Sequence, residues 1–138
     1  MRLRNRNWTI GFVVGIMTGF AGAVANANEV AVEAVSFVAQ PAGAWSVHVT
    51  LRHSDAGWEH YADAWRVVNG DGKTLGVRTL LHPHEAEQPF TRSLSGIKIT
   101  PTTKVVFVEA HDKVHGWSQD RVQVDLSRPN GPRFTVQR

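Results

Sequence analysis

From residue 29 onward, hydrophobic and polar positions alternate along most of the chain. In the segment WSVHVTLR at 45–52, for example, apolar residues occupy every second position. A period of two residues is typical of a half-buried β-strand, and no helical period of useful length occurs past residue 27. The pattern predicts seven strands in order, at 29–37, 45–52, 61–68, 73–81, 90–94, 104–110 and 121–126.

Turn-forming residues separate these predicted strands. The clearest turn is Asn69-Gly70-Asp71-Gly72, because Asn-Gly and Asp-Gly tolerate the positive φ of hairpin turns. Seven short strands in about 100 residues are typical of an immunoglobulin-like sandwich, and Trp65 on the third strand fits the buried tryptophan of such folds. We therefore predict an all-β, immunoglobulin-like antiparallel β-sandwich over residues 28–128, with a C-terminal tail at 129–138.

The first 27 residues have the pattern of a cleavable Sec-type signal peptide. Three arginines form a basic start, an uncharged apolar run follows at 8–24, and Ala25-Asn26-Ala27 supplies a small-x-small cleavage pattern. Cleavage after Ala27 predicts a periplasmic or secreted protein without stable membrane insertion. The alternative is an uncleaved anchor, since an apolar run of 17 residues is long for a signal core and short for a membrane span.

Removal of this segment would change both the charge and the sulfur content. The whole chain has 15 basic and 12 acidic residues, a net charge of +3, and the three arginines at its start account for the excess. The balanced remainder has no basic stripe for phosphates, so we expect no nucleic-acid partner. The chain has no cysteine, and its two methionines lie at positions 1 and 17, which excludes disulfides and leaves no sulfur ligand.

Six of the seven histidines lie in three of the predicted loops. Successive antiparallel strands reverse direction, so the loops after the second, fourth and sixth strands should lie at the same end of the sandwich. Imidazole is the commonest protein ligand for transition metals. We therefore predict one histidine-rich metal site at that end, with the ligands His53, His60, His82, His84, His111 and His115.

The donor types limit the choice of ion. Imidazole, with nearby carboxylates such as Asp55 and Asp112, suits Cu(II), Zn, Ni or Fe better than Cu(I). We expect an exported protein that carries, buffers or senses such an ion, with another periplasmic protein as a further partner. One alternative is a metal-dependent redox or hydrolytic enzyme using the same site. The other is a metal-free module that binds a protein or a glycan.

Several further residues bear on these alternatives. No nucleophile elbow, phosphate-binding loop or paired-carboxylate motif occurs, so the sequence favours a non-enzymatic role and assigns no catalytic residue.

Asp63 shares a predicted strand face with Trp65. If that face is buried, the carboxylate needs an arginine partner, or it holds a loop histidine in one tautomer. Trp58 and Trp117 either cap the open end of the core or shield the metal site.

Two short segments resemble the superoxide reductases, the desulfoferrodoxin family. The segment EHY at 59–61, with Trp65 four residues on, resembles the Glu-His segment of that family, and HGW at 115–117 is similar to its Cys-x-x-His-Gly segment. The segments GWEHYADAW and LLHPHEAEQPFTRSLSG also resemble small exported bacterial proteins, which implies no function.

The resemblance to superoxide reductases implies a particular set of ligands. Those enzymes hold iron on an immunoglobulin-like sandwich with four histidines and one axial cysteine. His60 and His115 match the histidine positions, and His53 lies one residue out of register. Asp112 stands at the position of the cysteine. Because the thiolate drives that family's chemistry, we do not predict superoxide reduction.

Overall fold

Nine strands and one short 3-10 helix make up the part of the chain that the computed structural model describes, residues 29–138. The strands are β1 Ala31–Ala39, β2 Ala44–Arg52, β3 Ala62–Asn69, β4 Thr74–Thr79, β5 Phe90–Lys98, β6 Val105–Asp112, β7 Gly116–Asp125, β8 Asn130–Gly131 and β9 Phe134–Gln137. The 3-10 helix, Pro41–Gly43, links β1 to β2. Each of the seven predicted strands overlaps one of β1 to β7.

These strands form two sheets that pack face to face. One sheet has the order β5-β2-β1-β9-β8 and the other the order β4-β3-β6-β7. All neighbouring strands are antiparallel except β1 and β9. The prediction of an all-β sandwich is confirmed. The predicted signal peptide at 1–27 lies outside the described residues, and no helix within residues 29–138 is long and apolar enough to cross a membrane.

The core lies between the sheets and is built from the inward positions of the alternating pattern. Val47 and Leu51 of β2 meet Trp65 and Val67 of β3 in one buried cluster, and all four are fully buried. A side chain of this kind contributes roughly 1.5–3 kcal/mol when it is buried rather than exposed. Residues 29–138 thus contain both sheets and a hydrophobic core of their own, as a domain that folds alone requires.

The segment at 129–138 differs from the predicted tail. It forms β8 and β9, and β9 pairs in parallel with β1, from Val35 opposite Phe134 to Val38 opposite Gln137. Phe134 and Val136 are buried in the core cluster. The alternation in FTVQ is a strand signal, but the Pro- and Gly-rich residues before it favoured a tail. The parallel partner on β1 comes from about a hundred residues earlier in the chain.

Three loops lie together at one end of the sandwich, as the alternation of antiparallel strands requires. They are 53–61 between β2 and β3, 80–89 between β4 and β5, and 113–115 between β6 and β7. Hydrogen bonds join them: His53 N donates to Gln88 Oε1 at 3.0 Å, and Lys113 N donates to the Tyr61 carbonyl at 3.2 Å. We call the end formed by these three loops the histidine end.

Candidate metal centre

Two imidazoles and one carboxylate come together at the histidine end. The ligand atoms of His53, His60 and Asp112 all lie within 4.8 Å of one another. His60 Nε2 is 3.5 Å from Asp112 Oδ1, and the rings of His53 and His60 are 4.9 Å apart. With bonds of about 2.1 Å, tetrahedral ligand atoms lie about 3.4 Å apart. A contraction of these separations by at most about 1.4 Å would therefore bring the three atoms onto one ion.

Asp112 is the last residue of β6, and its side chain points inward. The alternation along that strand buries Val108 and Ala110, and it turns the Asp112 side chain into the interior, where it is 0% exposed. A buried charge is costly unless it is paired. Here Asp112 Oδ1 accepts the backbone N–H groups of Val114 and His115 at 2.9 and 2.8 Å.

These hydrogen bonds determine the ionisation of Asp112. Burial raises the pKa of its carboxyl, but the backbone N–H groups of His115 and Val114 and the His115 imidazole outweigh burial and hold the pKa below its usual value. The residue is therefore a carboxylate at neutral pH, which is the form that binds a cation.

His115 stands beside this group at its solvent side. Its Nδ1 is 3.1 Å from both oxygens of Asp112, and its ring lies 5.2 Å from the ring of His60. Gly116, with a φ of +77°, follows directly and turns the chain into β7, a conformation that a residue with a side chain adopts at a cost. The side chains of His60 and His115 are 26% and 24% exposed, so the group is open to solvent on this side.

Asp55 orients His53 from behind. Its side chain is fully buried, and its Oδ1 accepts a hydrogen bond from His53 Nδ1 at 2.6 Å and one from Ala62 N at 3.0 Å. Its Oδ2 accepts the backbone N–H of His84 at 2.7 Å. A carboxylate on Nδ1 fixes the tautomer in which Nε2 carries the lone pair, which is the usual arrangement behind a metal-bound histidine.

His84 supports Asp55 and lies outside the group around Asp112. It is buried, its ring stacks on Phe90 at 4.0 Å, and its Nε2 accepts a hydrogen bond from Arg92 Nη2 at 2.9 Å. Its Nδ1 is 3.9 Å from Asp55 Oδ2, too far for a hydrogen bond. Burial, and then the charges of Arg92 and His82, lower the pKa of His84. A neutral ring whose lone pair already faces a guanidinium is a poor metal ligand.

The other two predicted ligands also lie away from the group. His82 is exposed, with its ring 4.5 Å from that of His84 and its Nδ1 3.0 Å from the Pro83 carbonyl. His111 lies on the outer face of the four-stranded sheet, where its Nδ1 is 2.5 Å from Asp63 Oδ1 and its ring meets the edge of Trp117. The structure therefore brings His53, His60 and His115 together and separates His82, His84 and His111 from them.

The position of His111 follows from the length of β6. Sequence analysis ended the sixth strand at residue 110 and assigned His111 to a loop, whereas β6 continues to Asp112. Adjacent residues of a strand point to opposite faces, so Asp112 points inward and His111 outward. A register shift between Ala62 and Ala64 makes Asp63 the extra residue of a β-bulge. Asp63 therefore contacts a histidine, which is one of its two predicted partners.

Sequence analysis placed Trp58 and Trp117 near the histidines, and the structure places Trp58 in the β2–β3 loop and Trp117 in β7. Trp58 is 63% exposed, and its ring meets the edge of Tyr61, which is itself buried. Trp117 lies on the outer face of the sheet, beneath the guanidinium of Arg66 at 3.9 Å. Of the two roles that the sequence offered, neither side chain has the first, capping the open end of the core. Sequence analysis named Asp55 and Asp112 only as carboxylates near the histidines; it did not place Asp112 among the ligands or Asp55 behind His53, although Asp55 lies two residues after His53.

Comparisons with known proteins provide one similar sequence. A protein of Halomicrobium mukohataei described as a "putative lipoprotein" is 42% identical over 93 residues, which cover 66% of this chain and 45% of that protein. The chain thus spans less than half the length of this relative. No protein-family model matches the chain, and no solved structure matches it.

Proposed function

We propose that this protein is exported and binds one transition-metal ion at the histidine end, as a carrier, buffer or sensor of that ion. The ligands are His53, His60 and Asp112, and His115 is the fourth side chain available. The observation that carries the proposal is the group of two imidazoles and a buried carboxylate within 4.8 Å. Cu(II), Zn, Ni and Fe suit these donors.

The environment of His60 supports a cation in preference to a purely structural cluster. Its Nε2 is buried and makes no hydrogen bond within residues 29–138. Its contact with Asp112 Oδ1, at 3.5 Å, is too long for a hydrogen bond, and a buried polar atom that lacks one costs about 1–3 kcal/mol. An ion between this nitrogen and Asp112 would remove that cost and would also balance the buried negative charge.

A second candidate is a metal-dependent enzyme that uses the same residues. Catalytic zinc sites have three protein ligands and keep one solvent-facing position for water. The group of His53, His60 and Asp112 matches this arrangement, since it has three candidate ligands and one side open to solvent. The exposure of His60 and His115 favours this reading as much as it favours release of a carried ion. No nucleophile or general base outside the ligand set distinguishes the two within the described residues, so carriage stays the first proposal.

We also propose that the protein is exported and that its fold is immunoglobulin-like. The predicted signal peptide at 1–27 and the name of the Halomicrobium relative support a periplasmic or secreted protein of the cell envelope. We propose an immunoglobulin-like strand order, in which β1, β2 and β5 face β4, β3, β6 and β7. The resemblance to desulfoferrodoxins would place His53, His60 and His115 around the ion. With Asp112 in place of cysteine, superoxide reduction is not part of the proposal.

Metal analysis of the exported protein tests the proposed function. The wild type should contain, or take up, one equivalent of Zn or Cu(II), measured by elemental analysis and calorimetric titration. His60→Ala and Asp112→Asn should each weaken the affinity by about 100-fold or more. The control is His48→Ala, because His48 is an exposed histidine of β2 on the outer face of the other sheet. Uptake by the wild type no stronger than by the two site variants would refute the proposal.

A further inference from the structure

Exposed apolar side chains are concentrated at the histidine end. Among residues 29–138 the large exposed hydrophobic residues are Trp58, Val77, Leu81 and Val114. Trp58, Leu81 and Val114 are 63%, 75% and 59% exposed, and each lies in a different one of the three loops. Single exposed apolar residues are ordinary on a protein surface. Three on one end, one from each loop, call for an explanation.

Hydrogen bonds hold these three loops against one another. Lys113 Nζ donates to the Trp58 carbonyl at 3.0 Å, which joins the β6–β7 turn to the β2–β3 loop. Gly57 N donates to Glu85 Oε1 at 2.6 Å, which joins the β2–β3 loop to the β4–β5 loop. Trp58 also packs its ring against the edge of Tyr61 at 5.8 Å. The apolar side chains therefore stand on a preformed rim, which we call the apolar rim (Trp58, Leu81 and Val114).

The residue types of the apolar rim match a membrane–water interface. Tryptophan is enriched at that level of the bilayer because its ring is apolar and its N–H is polar. Lys113 is exposed beside Val114; its ammonium gives one N–H to the Trp58 carbonyl, and the other two N–H groups are available to a lipid phosphate while its stem lies along apolar surface.

The charges at this end favour a zwitterionic surface. Glu85 is engaged by Gly57 N, and Glu87 lies 3.5 Å from Arg92. Because a backbone N–H does not cancel the charge of Glu85, the exposed charged side chains of the loops outside the Glu87–Arg92 pair are Glu59, Glu85 and Lys113, two negative and one positive. The rim thus has no excess of positive charge of the kind that attracts anionic lipids.

The connection of the chain also points to this end. Strand β1 begins at Ala31, which pairs with Arg52 next to the histidine loops. The 28 residues that precede the described part therefore join the domain at the histidine end. They include the uncharged apolar run at 8–24. A segment that holds the chain near a membrane, before or without cleavage, would present this end to the lipid.

We propose that the histidine end docks on the surface of a zwitterionic lipid bilayer, with Trp58, Leu81 and Val114 in the interface. This inference goes beyond the proposed metal function and does not depend on it, because none of the three residues belongs to the group of ligands. Docking at this end would place the candidate metal centre next to the membrane.

Vesicle binding by residues 29–138 tests the inference without any contribution from the apolar run. Flotation with phosphatidylcholine vesicles should recover the wild-type domain, and lipids with brominated chains should quench its tryptophan fluorescence. The double variant Trp58→Ser/Leu81→Ser should bind at least about tenfold more weakly, since both side chains would lose apolar burial. The control variant Val77→Ser, which changes an exposed residue within β4, should bind like the wild type.

Four results would overturn the inference. One is no flotation of the wild-type domain, and another is equal binding by the double variant and the wild type. The third is binding that requires added phosphatidylglycerol, which would indicate attraction by charge. A wild-type domain that is dimeric in sedimentation without vesicles, and monomeric when Trp58 and Leu81 are replaced, would instead assign the rim to self-association. Because calorimetric metal titration of the same variants is independent of lipid, failure of docking and failure of metal binding can be told apart.

Discussion

Replacement of Asp55 should separate its two roles, in folding and in the metal centre. The buried carboxylate accepts N–H groups from His53, Ala62 and His84. In Asp55→Asn the amide oxygen can take the place of Oδ1 and keep the first two. The amide NH2 then faces the His84 N–H, so one hydrogen bond to a charged acceptor is lost and a buried donor is left without a partner.

The size of the effect follows from these contacts. A hydrogen bond to a charged group contributes about 1.5–3 kcal/mol, and an unsatisfied buried donor costs about 1–3 kcal/mol. We therefore expect Asp55→Asn to lower the free energy of unfolding by roughly 2–4 kcal/mol. In Asp55→Ala all three donors lose their acceptor, so the loss should be larger and can exceed half of a typical domain stability of about 5–15 kcal/mol.

Urea unfolding of the metal-free protein, followed by tryptophan fluorescence, measures this change. Asp71→Asn is the control, because Asp71 lies in the exposed turn between β3 and β4, and surface substitutions change stability by about 0.5 kcal/mol or less. Asp55→Asn should also weaken metal binding by about 10–100-fold, since His53 would lose the carboxylate that fixes its tautomer. A variant as stable as Asp71→Asn would refute the role that the contacts give to Asp55.

Three further predictions concern pH and the C-terminal strands. The folded-state pKa of Asp112 is lowered, so its contribution to stability is present above the unfolded pKa of about 4 and is lost as the pH falls through the folded value. Urea unfolding of the metal-free protein at a series of pH values should show this loss of stability in acid. The loss should be smaller in Asp112→Asn. The pKa of His84 is lowered, so its ring should remain neutral as the pH falls through about 6.5, and an NMR titration showing protonation at or above that pH would contradict the contact with Arg92. Phe134→Ala should lower the free energy of unfolding by about 3 kcal/mol, because Phe134 belongs to the core. A change no larger than that of Val77→Ser in the same unfolding assay would show that residues 129–138 do not stabilise the fold, as a tail would not.

Several elements of the fold could be predicted because their signals are local. The alternation in WSVHVTLR and the turn at 69–72 each depend on a few neighbouring residues, and both correspond to observed features, strand β2 and the β3–β4 turn. Strand β9 was missed because its place depends on a parallel partner, β1, that lies far away in the chain. The shared end of the three histidine loops needed only the number of strands between them, and small errors in strand bounds do not change that number.

What the sequence by itself determined is therefore the all-β class, the approximate strands and the loops that share one end. The choice among the six histidines was decided by tertiary structure, because adjacent residues of a strand point to opposite faces, and only the folded chain shows whether a residue belongs to a strand or to a loop. The two additional residues of β6 turned Asp112 toward His53 and His60 and left His111 on the outer face. Asp55 also acquires its role only in the folded chain, where donors from three separate positions meet one buried carboxylate.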